Sequence, residues 1–111
     1  MESTELRPGS LALVGSGEYT AAMVSTDRHL LATWAEPAAP AQVVLVPTAS
    51  GLEPGMPERW NAQGSAHFSA LGAHVTALPL ITRADAHDPA ITAALASADY
   101  IYFSGGNPEY L

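Results

Sequence analysis

Four short apolar runs, separated by longer stretches with helical periodicity, are the feature that most constrains the fold of this 111-residue chain. The runs are predicted strands at Ser10–Gly15, Gln42–Val46, Val75–Ile81 and Tyr100–Phe103. Short and almost wholly apolar runs are typical of strands that are covered on both faces. Their alternation with helices predicts right-handed βαβ units. The expected fold class is therefore α/β, with a doubly wound, mostly parallel sheet and helices on both of its faces.

The connecting stretches carry start and stop signals for three helices. The first helix is predicted to begin at a capping residue, which is Ser25, Thr26 or Asp27. It is predicted to end at the Pro/Ala-rich connector Pro37–Pro40. The second is predicted over Pro57–Leu71, with Gly72 as a left-handed C-cap. Asp88 followed by Pro89 predicts the start of the third helix.

The apolar runs also predict where two strands lie in the sheet. Ser10–Gly15 has no charged residue, so we expect it to be a central strand. The run Val75–Ile81 contains Pro79, which has no N–H and removes one ladder hydrogen bond. The third strand is therefore expected at an edge of the sheet, or to end at Leu78.

Composition excludes several classes of function. The formal charge is −7, with four Arg and no Lys, which disfavours nucleic acid and anionic membrane surfaces as partners. The absence of cysteine excludes disulfides, a thiolate nucleophile and Cys-based metal sites. No two of the four histidines have the i, i+4 spacing of a helical metal site, so no metal is expected. No other cofactor is expected either.

Length and hydropathy predict one small domain. Residues 1–9 are expected to form a polar lead, and 10–111 one α/β domain. Because the chain ends after the first turn of a predicted helix, this domain is expected to be incomplete at its C-terminus. The 48% hydrophobic fraction indicates a folded chain rather than a disordered one. No run approaches the roughly 20 apolar residues of a membrane span, and the N-terminus has no signal-peptide core. The expected location is cytoplasmic.

The first candidate motif is Gly15-Ser16-Gly17-Glu18-Tyr19, which follows the first predicted strand. A G-x-G at this place suggests dinucleotide binding, because it lets a pyrophosphate approach the backbone. Thr20 stands where the third glycine belongs, however, and Glu18 puts a carboxylate inside the phosphate loop. The glycines are therefore interpreted as a tight turn, with Glu18 and Tyr19 as loop residues or substrate-facing ones.

The second candidate motif is Ser104-Gly105-Gly106-Asn107, a strand-to-helix turn whose backbone N–H groups could receive an oxyanion in acyl transfer. In a parallel sheet such turns gather at the carboxyl ends of the strands, together with the loops at 15–19, 48–53 and 82–85. No serine here lies in a G-x-S-x-G elbow, and His67 is interpreted as a packed histidine with a hydrogen bond. No catalytic residue is assigned.

Several segments resemble the N-terminal part of peptidase family S51, the family of dipeptidase E and cyanophycinase, which has a class I glutamine amidotransferase-like fold. The segments, in family order, are LALVGSGEY, VVLVPTASG, AHFSALGAHVTALPLITRADAHDP and ADYIYFSGGNPEYL. The most specific is F-x-G-G-N at Phe103–Asn107, and V-P-T-A-S at Val46–Ser50 supports it. The resemblance covers the chain from about Gly9 to Leu111.

The resemblance implies a serine-type peptidase of small peptides, in some members aspartyl ones, that works through an acyl-enzyme. The residues that carry over to the oxyanion and substrate site are Gly105, Gly106 and Asn107. Residues expected to line the cleft are Ser16, Gly17, Glu18, Ser50 and Glu53. The family's nucleophile lies on a later G-x-S-A-G elbow, so this chain is expected to be inactive alone.

Two alternatives stay open at this point. A half-sheet with an unpaired edge or a bare helix-binding face would suit a non-enzymatic binding module, including a homo-oligomer. Glutamine amidotransferase chemistry uses the same fold with a Cys on the later elbow.

Overall fold

The computed structural model describes residues 9–34 and 39–111. Three helices and three strands alternate along this part of the chain, in the order α1 Val24–Trp34, β1 Gln42–Val46, α2 Met56–Ala70, β2 His74–Ala77, α3 Pro89–Ala96 and β3 Tyr100–Phe103. Single turns of 3₁₀ helix lie at Ala21–Met23, Thr48–Ser50 and Asp85–His87. None of the helices in this part is both long and apolar enough to cross a bilayer.

The three strands form one parallel sheet with the order β2-β1-β3, which confirms the predicted α/β class. Strand β1 is central, and its last four residues are buried. Its final pair with β3 joins Val46 to Phe103. Strand β2 lies at an edge, as Pro79 predicts, and it ends at Ala77.

Helices cover both faces of the sheet because each helix has one apolar side. On one face, Leu31 of α1 and Phe68 of α2 pack with Val43 and Leu45 of β1. On the other face, Ile91 of α3 packs in the cluster that contains the alternate residues of β1, which are Val44 and Val46. The period-two alternation of strand side chains thus divides one apolar strand between two cores.

The predicted first strand, Ser10–Gly15, is wrong: these residues form no strand. Leu11 and Leu13 are 85% and 87% exposed, and the segment runs beside β3 without joining its ladder. Wholly apolar strands of parallel sheets are typically covered on both faces. Among the described residues no helix covers the α3 face of β3, because Ile101 and Phe103 on that face are exposed. A further strand next to β3 would therefore have one uncovered face.

The helix boundaries agree with two of the three sequence predictions. Helix α2 ends before Gly72, whose φ of +88° is left-handed, and α3 begins after Asp88, whose Oδ1 accepts a hydrogen bond from the Ala90 N–H. The predicted start of the first helix at Ser25, Thr26 or Asp27 is wrong, because a 3₁₀ turn and α1 itself begin earlier. Most of the predicted connector Pro37–Pro40 lies outside the described residues.

Candidate active site

The loops that follow β1 and β3 lie side by side, because the two strands are parallel neighbours in register. The Ser104 N–H donates to the Val46 carbonyl at 3.2 Å and extends the ladder beyond the last strand pair. The Asn107 N–H then donates to the Ala49 carbonyl at 2.7 Å. These two bonds hold the Gly105-Gly106 turn against the Thr48–Ser50 helical turn.

Gly106 lies directly against the backbone of the Thr48–Ser50 turn. A Cβ built there would lie 2.3 Å from the backbone carbon and oxygen of Ala49 and 2.5 Å from the nitrogen of Ser50. Backbone atoms cannot yield as a flexible side chain can. Only glycine fits at this position, because any side chain would clash with the backbone of the neighbouring loop. This close contact fixes the position of the turn.

Glu18 reaches the same turn from the N-terminal loop. Its Oε2 accepts a hydrogen bond from the Gly105 N–H at 3.1 Å. The loop can bend this way because Gly17 and Tyr19 both have positive φ, of +81° and +62°. The bend places the centroid of the Tyr19 ring 4.7 Å from that of the Tyr102 ring. Aromatic packing, and not strand pairing, therefore holds the loop in place.

Three backbone N–H groups were predicted to form the oxyanion site, and they differ in availability. Gly105 donates to Glu18, and Asn107 donates to Ala49. The Gly106 N–H has no acceptor among the described residues. An oxyanion could therefore bind to the Gly106 N–H directly, and to the Gly105 N–H once the Glu18 carboxylate moves aside.

The other residues predicted to line the cleft lie in different surroundings. Ser50 is fully buried, and its hydroxyl donates to the Pro47 carbonyl at 2.9 Å, so its side chain supports the loop from beneath. Ser16, Gly17 and Glu53 are exposed. The structure thus brings the Glu18 carboxylate into contact with the glycine turn, whereas the roles of Ser16, Gly17 and Glu53 stay predictions.

A buried polar cluster links α1, α2 and β3. Asp27 is fully buried; its Oδ2 lies 2.8 Å from Nε2 of His67, and its Oδ1 accepts from the Tyr100 hydroxyl at 2.9 Å. This confirms His67 as a packed, hydrogen-bonded histidine. The cluster as a whole was missed, although Asp27 and Leu31 are four residues apart on one helix face, and that spacing was a signal that Asp27 faces the core.

Burial raises the pKa of the three tyrosines on this face. The pKa of Tyr102 is raised to about 12 by burial first and then by the charges of Asp27 and Glu18. Burial likewise raises the pKa of Tyr19 and of Tyr100. The phenols are therefore neutral donors near pH 7. The Tyr102 hydroxyl is buried and has no hydrogen-bond partner among the described residues.

A cavity of about 480 Å³ extends along the outer edge of β3. It lies between residues 9–14 and Asp99–Phe103, and Glu18, Leu30 and Gly105 also line it. The cavity thus lies between the segment predicted as the first strand and β3, and it reaches the glycine turn at Gly105. The described residues contain no cluster of three or more His, Asp or Glu side chains that could hold a metal ion.

The model of peptidase family S51 matches residues 11–111. The chain belongs to peptidase family S51. It is also similar to the crystal structure of a peptidase from an acI-B1 actinobacterium, at 34% sequence identity and a TM-score of 0.80. That match covers 87% of this chain and 40% of the other, so the S51 chain spans less than half the length of the peptidase it matches. No curated protein matches the sequence.

Proposed function

We propose that the complete S51 protein is a serine-type peptidase that hydrolyses small peptides, aspartyl peptides among them, through an acyl-enzyme. The family match and the peptidase structure support a peptidase-like domain. The observation that carries the proposal is the Gly105-Gly106 turn, held at the carboxyl end of the sheet with the Gly106 N–H unengaged by any described residue. This is the kind of fixed backbone donor that stabilises an oxyanion.

These 111 residues would supply the oxyanion and substrate side of the site. Neither serine beside a glycine turn is suited to act as the nucleophile: Ser104 is 4% exposed, and Ser16 lies on an exposed bend. No G-x-S-x-G elbow occurs among the 111 residues. The attacking serine and its histidine would come from a further part of the protein.

The test is hydrolysis of aspartyl dipeptides, followed by chromatography of the products. We expect no turnover by residues 1–111 alone, because loss of a triad member costs roughly 10⁴ to 10⁶ in kcat. We expect turnover by a longer gene product that contains the elbow. Turnover by the 111-residue chain that disappears in the Ser16→Ala or Ser104→Ala variant would overturn the proposal.

A second candidate function, an interaction module that pairs with another copy, is favoured by the outer side of β3. Ile101 and Phe103 are 41% and 57% exposed on one face of this strand, whose outer edge has no strand partner among the described residues. Exposed apolar side chains at a strand edge promote association. Sedimentation would show dimers that dissociate in the Phe103→Asp variant, whereas a monomeric wild type would exclude this role.

A further inference from the structure

We propose that Glu18 binds the amino-terminal ammonium group of the peptide substrate, so that the site selects peptides with a free amino end. The inference rests on the proposed peptidase function, because it assigns a substrate contact within that site. The observation behind it is that the Glu18 carboxylate lies at the candidate oxyanion turn. A negative charge is unfavourable there unless a cation binds beside it.

Specific contacts with Gly105 hold the Glu18 side chain at the turn. Its Oε2 is 3.1 Å from the Gly105 nitrogen, and a Cβ on Gly105 would lie 2.7 Å from the same oxygen. Glycine at 105 therefore leaves room for this carboxylate. Glu18 and Gly105 both line the 480 Å³ cavity, which gives a ligand access to them.

Within residues 9–34 and 39–111, no cationic side chain forms an ion pair with Glu18. The structure gives its side chain one hydrogen-bond partner among the described residues, and that partner is the neutral Gly105 amide. None of the described arginines lines the cavity, and the chain contains no lysine. A carboxylate beside a developing oxyanion opposes catalysis by charge repulsion. A substrate that brings its own cation removes that repulsion.

The covalent geometry of a peptide puts an ammonium group at the required place. The nitrogen and the carbonyl carbon of one residue are both bonded to its Cα, so they lie about 2.5 Å apart. If the carbonyl oxygen of the first residue accepts from the Gly106 N–H, its ammonium lies within reach of a carboxylate at the adjacent Gly105. An internal residue has an amide nitrogen there, which carries no charge.

A buried group in the same cavity independently indicates a ligand. Tyr102 is 7% exposed and lines the cavity, and its hydroxyl has no hydrogen-bond partner among the described residues. A buried polar group without a partner costs free energy that a bound polar ligand would recover. The neutral phenol could donate to a substrate oxygen or accept from the same ammonium group.

Binding to the 111-residue chain can be measured without turnover. The probes are aspartyl-leucine and N-acetyl-aspartyl-leucine, titrated by calorimetry. We expect the free dipeptide to bind at least tenfold more tightly than the acetylated one, because a hydrogen bond to a charged group is worth more than a neutral one. In the Glu18→Gln variant this discrimination is lost, and in Glu18→Asp it is partly kept.

The matched control is Glu58→Gln, which removes the same charge from an exposed position on α2 and should keep the discrimination. Circular dichroism shows whether each variant is folded. Equal binding of both peptides, binding of neither, or unchanged discrimination in Glu18→Gln would each overturn the inference. Hydrolysis by the longer gene product decides the proposed function separately: turnover of both peptides at equal rates would leave the peptidase standing and exclude the ammonium contact.

Discussion

Two carboxylates lie near the packed rings of Tyr19, Tyr100 and Tyr102, and they are held in opposite ways. Asp27 is fully buried and accepts hydrogen bonds from side chains of two other elements, His67 on α2 and Tyr100 on β3. Glu18 is half-buried, accepts from one backbone N–H and faces a cavity. The first arrangement joins three elements of the fold, and the second leaves a charge available to a ligand.

The difference shows how burial separates structural acids from ligand-binding ones. A buried carboxylate needs partners within the protein, so Asp27 commits two side chains to it. A carboxylate at a cavity can keep part of its hydrogen-bonding capacity unused. Removing Asp27 should therefore reduce stability, whereas removing Glu18 should reduce binding.

The largest expected effect is that of Asp27→Ala, which leaves the His67 and Tyr100 donors buried without their acceptor. We expect a loss of about 3 to 5 kcal/mol in the free energy of unfolding, the usual cost of breaking a buried pair. Urea denaturation measures it. Should this variant not fold, Asp27→Asn keeps one acceptor oxygen and should lose about 1 to 3 kcal/mol. A loss no greater than that of Glu18→Ala would contradict the comparison.

The next effect separates the two glycines of the turn. Gly106→Ala drives a Cβ into the backbone of Ala49 and should cost about 2 to 3 kcal/mol, in the upper part of the range for overpacking. Gly105→Ala meets only the end of the flexible Glu18 side chain and should cost less. Amide hydrogen exchange provides the readout: the Asn107 N–H should lose protection in the first variant and keep it in the second.

A smaller effect distinguishes the two acids by the tyrosines that they influence. Burial is the largest cause of the raised pKa of all three tyrosines, and the charge of Asp27 adds to all three. The charge of Glu18 adds to the pKa of Tyr19 and of Tyr102 but not to that of Tyr100. The Glu18→Gln variant should therefore lower the pKa of Tyr19 and Tyr102 and leave that of Tyr100 unchanged. NMR titration of the individual rings would measure this. A downward shift for Tyr100 in this variant would contradict the assignment.

The raised pKa values of the same tyrosines predict that the free energy of unfolding falls at alkaline pH. A phenol whose pKa in the folded state is above its unfolded value of about 10 stabilises the fold fully below that pH. This contribution is lost as the pH rises from about 10 through the folded value, which is about 12 for Tyr102. Unfolding by urea should therefore become easier above pH 10, and a constant midpoint from pH 8 to pH 12 would exclude it.

The sequence predicted the elements whose signals are local. Strands β1 and β3 match the predicted bounds, and Asp88-Pro89 and Gly72 act as the predicted caps. Ser10–Gly15 failed because an apolar run specifies burial without specifying what covers it. Both carboxylate contacts were outside the reach of local patterns, because Glu18 meets a residue 87 positions away and Asp27 meets one 73 positions away.

The smallest expected effect on stability is that of Glu18→Gln. Glutamine keeps an oxygen that can accept from the Gly105 N–H, and a half-buried side chain loses little when its charge is removed. We expect a change within about 1 kcal/mol, set by replacing a charged acceptor with a neutral one. Urea midpoints of the wild type, Glu18→Gln and the control Glu58→Gln would measure it on one scale. A loss as large as that of Asp27→Asn would make Glu18 a second structural acid, since a side chain kept for a ligand should be nearly dispensable to the unliganded fold.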